Sequence, residues 1–457
     1  MPDLDLALIL VTLGGAVYPL LNRILSRPLR FFYLAIAAAV LVAQLIEVGP
    51  HWQMFPAYPA FFLMTYVIWH HRPGHRHRRM ALAADSLCLL TVAILWVLPM
   101  FSLPRPTGDH PVGTTGPISW VDSSRGIRGE ANPSGQPREL VVQIWYPAAA
   151  GSRWGGQARY TRRKEVSLIH SYFAAIRTNS ALNAPVADVG APYPVLLFGH
   201  RWGGTRSQNT FLAEDLASHG YVVVATDHPL NANRVEIADG TVVRTDRRDA
   251  LSDLESKSAA TVLDTWGKEL DLWLADDRFV LDKLQQNNDG WFSSRLDLTR
   301  IGAFGHSFGG ASALNLLGSD PRIKSAINLD GWTFQGLDQR TSQPALIVYE
   351  GSAAIPHAET GVEGALNTND KNAVETSLKQ HGGIKAYVEG TKHLDFTDQT
   401  LFSPFRSLTF TGPIAGERIR EITRGLVRGF FDQTLKGTGE IPAYPEVKME
   451  RSAGTTP

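Results

Sequence analysis

Gly305-His306-Ser307-Phe308-Gly309 sets a serine between two glycines, two residues away on either side. The glycines allow a sharp turn and a close backbone approach, so Ser307 can be thrust out of a strand-to-helix elbow as a nucleophile. The pattern also occurs in ordinary Gly-rich turns. Its context adds weight here: Arg300–Phe304 reads as a strand and Gly309–Leu317 as a helix. A hydroxyl nucleophile needs a base. Of the 14 histidines, His393 lies in the loop after the last predicted strand, beyond serine and candidate acids in chain order. His306 adjoins the nucleophile, but its ring should point away from Ser307, and His200 reads as structural. Asp330 and Glu350 each end a strand that follows the serine, so position alone leaves the acid open between them. Asp395, two residues from His393, reads as local support for the loop. A developing oxyanion needs two backbone N–H donors. Phe308 should supply one. The turn Gly199-His200-Arg201-Trp202-Gly203-Gly204 should supply the other, with Trp202 the candidate.

The elements that must position these groups alternate. Leu140–Tyr146, Pro194–Gly199, Tyr221–Thr226, Ile323–Leu329, Ala345–Tyr349 and Ile384–Val388 are apolar runs of buried-strand type. Asn209–Ser218, Ala259–Leu284 and the residues after Gly416 have helical spacing, and Asp239–Gly240 marks a hairpin turn. Such alternation predicts a mostly parallel, doubly wound α/β sheet, whose chemistry sits at the carboxyl ends of strands. Residues 229–257 and 352–382 are expected to shape a substrate pocket.

The first hundred residues differ in kind. Of 44 basic and 44 acidic side chains, residues 1–101 hold only 7 Arg and 4 acids, with no Lys. Four apolar stretches, Leu4–Leu21, Phe31–Val48, Ala57–Trp69 and Met80–Phe101, predict four transmembrane helices. Arg23, Arg27 and Arg30 follow the first stretch, and Arg72, Arg76, Arg78 and Arg79 follow the third. The positive-inside rule then puts both Arg loops in the cytoplasm and the rest of the chain on the extracytoplasmic side of the cell (inner) membrane. His70, His71, His75 and His77 read as a basic juxtamembrane loop rather than a metal site. Asp85 reads as interfacial, and the four stretches show no paired buried charges of the kind an ion path needs.

The expected organisation is therefore a membrane region over 1–101, a linker over 102–138 with one strand at Ile118–Val121, a catalytic domain over 139–440 and a tail over 441–457. Residues beyond 101 carry 37 basic against 40 acidic side chains, which excludes a nucleic-acid binder driven by bulk charge. Cys88 is the only cysteine, so neither an intrachain disulfide nor a Cys-based metal site can form.

Pro194–His200, Asp215–Gly220, Gly305–Gly310, Leu329-Asp330-Gly331-Trp332 and His393–Thr397, in this order, resemble the platelet-activating factor acetylhydrolases of the plasma, lipoprotein-associated type. Leu140–Pro147 resembles their bacterial relatives, and the likeness runs from about Val112 to Gly437. The resemblance implies an α/β-hydrolase fold and a Ser307, Asp330, His393 triad, with Asp330 rather than Glu350 as the acid. It implies Trp202 and Phe308 as oxyanion donors. It also implies hydrolysis of short or oxidised acyl chains from phospholipids without calcium or any other cofactor. Two features depart from the family: Arg201 stands where the family has a small glycine, and the four-helix N-terminus is not part of the animal enzymes. A general carboxylesterase or polyester-type hydrolase with the same triad is the alternative. A non-catalytic membrane-tethered binding module is a second one, against which the complete set of three residues argues.

Overall fold

The computed structural model describes residues 3–21, 25–70, 74–131, 135–151, 155–246, 257–335, 337, 342–351 and 361–452. Of the residues singled out above, Arg23, His71 and Arg72 lie outside these, as do 247–256 and 352–360 of the two segments expected to shape a pocket. The chain divides into two compact units.

The first unit holds residues 1–102 together with 159–176 and 401–408. Its helices are α1 (Asp3–Leu20), α2 (Arg27–Glu47), α3 (Ala57–His70) and α4 (His75–Val97). All four expected apolar stretches are thus helical. Among the described residues only α2 and α4 are long and apolar enough to cross a membrane. At 14 residues, α3 covers about 21 Å. Small side chains line the packed faces: Ala16, Ala60, Ala81, Ala84 and Cys88 are buried. A Cβ on Gly15 would fall 2.8 Å from Met64 and 2.9 Å from Ile68. Large apolar side chains point outward instead, with Ile46 73%, Phe32 66% and Leu89 63% exposed. The unit also buries a polar contact: Asp5 meets His51 Nε2 at 3.1 Å and Gln44 Nε2 at 3.0 Å. His51 lies outside the apolar stretches, so hydropathy did not reveal the contact. At the unit's other end Arg30 donates to the carbonyl of Trp69. Two distant segments complete this unit. Phe101 packs edge-on against Tyr160 and Phe173, each at 5.3 Å, and lies 5.0 Å from Phe402. Trp52 Nε1 donates to Ile169 O, and Ser403 Oγ to Val97 O.

The second unit is a sheet wrapped by helices. In chain order it has β1 (Val112–Thr114), β2 (Ile118–Gly126), β3 (Pro137–Pro147), β4 (Gln157–Arg159, at its border), β5 (Arg177–Leu182), β6 (Tyr193–Gly199), α5 (Thr210–Ser218), β7 (Val222–Asp227) and the hairpin β8 (Arg234–Glu236) and β9 (Val242–Arg244). Then follow α6 (Ala259–Asn287), β10 (Leu296–His306), α7 (Phe308–Ser319), β11 (Ile323–Leu329), β12 (Ala345–Glu350), α8 (Gly361–His381), β13 (Gly383–Val388), a closing helix Gly416–Phe431 and β14 (Val447–Ser452). The large sheet runs β14-β13-β12-β11-β10-β6-β7-β3-β1-β5-β4, with β2 beside β3. The centre, β7 through β13, is parallel, and β3 and β14 join it antiparallel. Both faces of the central strands are covered, so their runs are continuously apolar. Val195, Leu196, Val222, Val224, Ile327 and Leu346 have no measurable exposure. Each such aliphatic contributes roughly 1.5–3 kcal/mol over an exposed one.

The stretch expected as a linker, 102–138, carries β2 where a strand was expected at Ile118–Val121 and carries β1 besides, and the expected tail carries the edge strand β14. Neither β1 nor β14 is an apolar run. An edge or half-covered strand needs only one apolar face, so its sequence does not stand out from a polar loop.

Candidate active site

Register aligns the strand ends. Gly305 pairs with Gly199, His306 with Leu329 and Leu329 with Val348. The residues that follow β6, β10, β11 and β13 therefore emerge along one edge of the sheet. This happens because α7 lies hard against β6: a Cβ on Gly199 would sit 2.7 Å from the Cα of Gly309. Glycine at both positions lets the helix start directly above the strands.

Ser307 is the elbow between β10 and α7. Its φ of +57° and ψ of −121° are unfavourable for a residue with a Cβ. The surroundings hold it there: its N–H donates to Leu329 O at 2.8 Å, and its carbonyl accepts from Gly310 N at 2.9 Å and Ala311 N at 3.1 Å. Ser307 is half-buried.

Asp330 leaves β11 with φ +56°. Its N–H donates to Val348 O at 2.7 Å. Asn328 clasps the turn, accepting from Gly331 N at 2.9 Å and donating to Gly331 O at 2.7 Å. Asp330 Oδ2 lies 2.7 Å from His393 Nδ1, while Oδ1 accepts the N–H of Glu350 at 2.8 Å. The structure thus brings Asp330 to His393, and Glu350 meets Asp330 through its backbone. Asp395 fixes the histidine loop by accepting from Lys392 N at 2.8 Å and Gly412 N at 2.5 Å.

His306 turns inward. Its Nε2 donates to the carbonyl of His393 at 2.7 Å and its Nδ1 accepts from Gln208 Nε2 at 3.2 Å. Burial, with the charge of His393 and Arg201 nearby, pulls its pKa well below the usual histidine value, so it stays neutral. His200 is likewise buried and neutral, donating from Nδ1 to Arg201 O at 2.7 Å. The turn it opens is pinned by Arg201 N to Gln208 Oε1 at 3.2 Å, Gly203 N to Asn231 O at 2.8 Å and Gly204 N to Arg201 O at 2.7 Å. Neither the N–H of Trp202 nor that of Phe308 has an acceptor among the described residues. The rings of Trp202 and Phe308 meet edge-on at 5.4 Å and share an aromatic wall with Trp266, Phe334 and Trp332. Gln208 and Asn328 join the site without belonging to any motif, so no sequence signal pointed to them. Among the described residues no group of three or more His, Cys, Asp or Glu side chains is placed to hold a metal ion.

Near the turn that His200 opens lies a buried charge lattice. Asp276 accepts from Arg138 at 2.7 and 2.6 Å and from His228 Nδ1 at 2.8 Å, and Arg125 joins it. Burial alone would raise the Asp276 pKa, but the Arg138 guanidinium and His228 hold it well below the usual carboxylate range. Neighbouring Asp277 has no such cation in contact among the described residues, and burial pushes it up to about 6 although Ser312 donates to it.

A mostly parallel sheet with a positive-φ serine after a central strand, and an Asp–His pair drawn from the ends of β11 and β13 with β12 between them, defines the ester hydrolases of the α/β-hydrolase type. Comparison with known proteins bears this out. A ferulic acid esterase from Streptomyces cinnamoneus superposes with a TM-score of 0.61 at 29% identity, over 76% of this chain and 99% of that one. The platelet-activating factor acetylhydrolase of Cavia porcellus is 25% identical over 70% of this chain and 72% of its own. A probable 1-alkyl-2-acetylglycerophosphocholine esterase of Arthroderma benhamiae is 31% identical over 56% of this chain and 65% of its own. The family described as platelet-activating factor acetylhydrolase, isoform II, matches residues 101–258 and 278–404, and the chain belongs to it. It is a carboxylic ester hydrolase of the serine type.

Proposed function

We propose that this enzyme removes short or oxidised acyl chains from phospholipid-like esters through Ser307, His393 and Asp330. His393 takes the Ser307 proton as the hydroxyl attacks the ester carbonyl, and Asp330 holds the ring tautomer and balances the imidazolium. The N–H groups of Trp202 and Phe308 receive the oxyanion; each such donor is worth about 10²–10³ in rate. His393 then returns the proton to the leaving alcohol, and water attacks the acyl-enzyme by the same route in reverse. No cofactor enters the scheme. The observation that carries the reading is the 2.7 Å contact of His393 Nδ1 with Asp330. The uncommitted N–H of Phe308, next to Ser307 in the chain, and that of Trp202 support it.

A second reading, a general carboxylesterase or polyester-type hydrolase, draws on the aromatic wall of Trp202, Trp266 and Trp332. It also draws on the likeness of a cutinase of Thermobifida alba, 24% identical over 41% of this chain and 53% of its own. Hydrolysis of 4-nitrophenyl esters of rising acyl length by detergent-purified protein separates the two. Turnover of short chains that disappears in Ser307→Ala is the expected result. A preference for long chains selects the second reading, and full activity in Ser307→Ala refutes both.

We further propose that α1 to α4 all lie in the cell membrane with both Arg-rich loops cytoplasmic and the catalytic unit outside. The contact of Asp5 with Gln44 and His51 supports this, since it gathers the N-terminus and the second loop at one end of the bundle. The outward apolar faces support it too. Single cysteines placed at residue 26 and residue 440, in a Cys88→Ala background, should be labelled from opposite sides. Labelling of both from the cytoplasm would reverse the assignment.

A further inference from the structure

The catalytic unit pairs the arginines it buries completely. Arg138 sits on Asp276 and Arg206 on Asp227. Arg201, on the oxyanion turn, is the exception. It is only partly open to solvent, yet no carboxylate pairs with it among the described residues. Its one side-chain bond is Nη1 to the carbonyl of Trp202 at 3.1 Å. A guanidinium carries five N–H donors in a planar fork, so that bond leaves most of them unspent. The ionisable groups that sense its charge are His200 and His306, both neutral and both made harder to protonate by it. Asp330, the carboxylate of the site, is committed to His393 and to the Glu350 N–H. Burial without a counter-charge is costly for a cation and pulls the Arg201 pKa below its usual value. A merely structural turn would be served by glycine, the residue that the resembled family carries here.

We propose that Arg201 is a substrate-recognition residue, and that the preferred substrates are esters bearing an anionic oxygen group close to the scissile bond. A carboxylate or a phosphodiester presents the paired oxygens that a guanidinium fork binds in two parallel hydrogen bonds. Arg201 immediately precedes Trp202, whose N–H faces the reacting carbonyl in the mechanism above. The anion therefore lies beside the ester and not at the far end of a long chain. Two sources share this chemistry: a carboxylate at the end of a short acyl group, and the phosphodiester of the alcohol. The inference deepens the proposed function and rests on Ser307 as its nucleophile.

The test compares matched esters on wild-type, Arg201→Gln and Arg201→Lys full-length protein in detergent. One pair is mono-4-nitrophenyl adipate and its neutral methyl ester. The other is dibutanoyl glycerophosphocholine and neutral tributanoylglycerol. The readout is the ratio of kcat/KM, anionic over neutral, within each pair. Removing the fork from a charged partner should lower that ratio about ten- to hundredfold in Arg201→Gln, chiefly through KM. Arg201→Lys, which keeps a point charge but not the fork, should fall between. A loss confined to the adipate pair assigns the subsite to the acyl group, and one confined to the phospholipid pair assigns it to the head group; either supports the proposal. Ratios unchanged within about twofold in both pairs overturn it, even where all rates drop together. Calorimetric binding of methyl hydrogen adipate and glycerophosphocholine to Ser307→Ala protein, with and without Arg201→Gln, needs no turnover. Should Ser307 prove dispensable for hydrolysis, that arm still decides on Arg201: weaker binding in the double variant supports it, and equal binding sinks it.

Discussion

Replacing Asp330 with asparagine tests the proposed triad, because the surroundings dictate which way the new amide must face. Asp330 Oδ1 accepts the Glu350 N–H at 2.8 Å, and Oδ2 lies 2.7 Å from His393 Nδ1. Asparagine keeps the first bond only by offering its oxygen to Glu350, which turns its NH₂ toward His393. Nδ1 must then accept, and the ring proton moves to Nε2, the nitrogen meant to deprotonate Ser307. Locking that wrong tautomer costs serine hydrolases about 10⁴ in kcat, or roughly 5.4 kcal/mol at 1.36 kcal/mol per decade. The escape is to flip the amide, which restores the tautomer but sets NH₂ against the Glu350 N–H. An unsatisfied buried donor costs about 1–3 kcal/mol, or roughly ten- to hundredfold, and the carboxylate charge is still lost. The expected fall in kcat therefore lies between about 10² and 10⁴, with circular dichroism unchanged. Glu350→Gln leaves the backbone donor in place and should stay within about tenfold of wild type. Stopped-flow hydrolysis of 4-nitrophenyl butyrate measures both. An Asp330→Asn enzyme above about a tenth of wild-type kcat, beside a Glu350→Gln enzyme down by 10³ or more, would make Glu350 the acid and refute the reasoning.

Gly309→Ala should fold poorly, because its Cβ would collide with the backbone of Gly199; a loss of at least about 1–3 kcal/mol in thermal or urea unfolding is expected, and full stability would contradict the packing. Asp277→Asn should stabilise the protein at pH 8. The folded pKa of Asp277, at about 6, exceeds its ordinary 3.8, so its protonated form favours folding below about pH 4 and that benefit disappears as pH rises through 6. An amide that cannot ionise should gain up to about 3 kcal/mol at pH 8 and almost nothing at pH 4. Asp370, also pushed up to about 6 by burial, should leave a residual slope, and an unaltered wild-type slope would disprove the assignment. Asp276→Ala should cost about 3–5 kcal/mol in urea unfolding by stranding Arg138 without a counter-charge, and a cost under about 1 kcal/mol would deny the lattice its role.

The central strands were readable because burial on both faces writes an unbroken apolar run, as in Pro194–Gly199 and Ile323–Leu329. Their ends were less so: β10 begins at Leu296, ahead of the apolar run, because Leu296 and the polar Asp297 already pair with Tyr193 and Pro194 of β6 before an irregularity ahead of Ile301. Asp239–Gly240 announced the hairpin of β8 and β9 through its turn chemistry. The edge strand Val447–Ser452, with charges at Lys448, Glu450 and Arg451, carried no such signature. At the site, a motif and a fold habit singled out Ser307 and His393. The choice between Asp330 and Glu350 came from family likeness alone, since both occupy strand ends. Gln208 bridging Arg201 and His306 is not encoded locally, because His306 is 98 residues away in the chain, whereas the clasp of Gly331 by Asn328 spans three residues but matches no motif.

The ring of Phe101 finds its neighbours at Tyr160, Phe173 and Phe402, so the first unit is finished by chain made long after its own helices. Roughly 300 residues separate Phe101 from Phe402, and synthesis at about 5–20 residues per second takes on the order of 15–60 s to cover them. Throughout that interval the earliest-born helices exist as an unclosed assembly. A ribosome that stops short of residue 408 leaves the amino-terminal unit incomplete however well its own helices have formed.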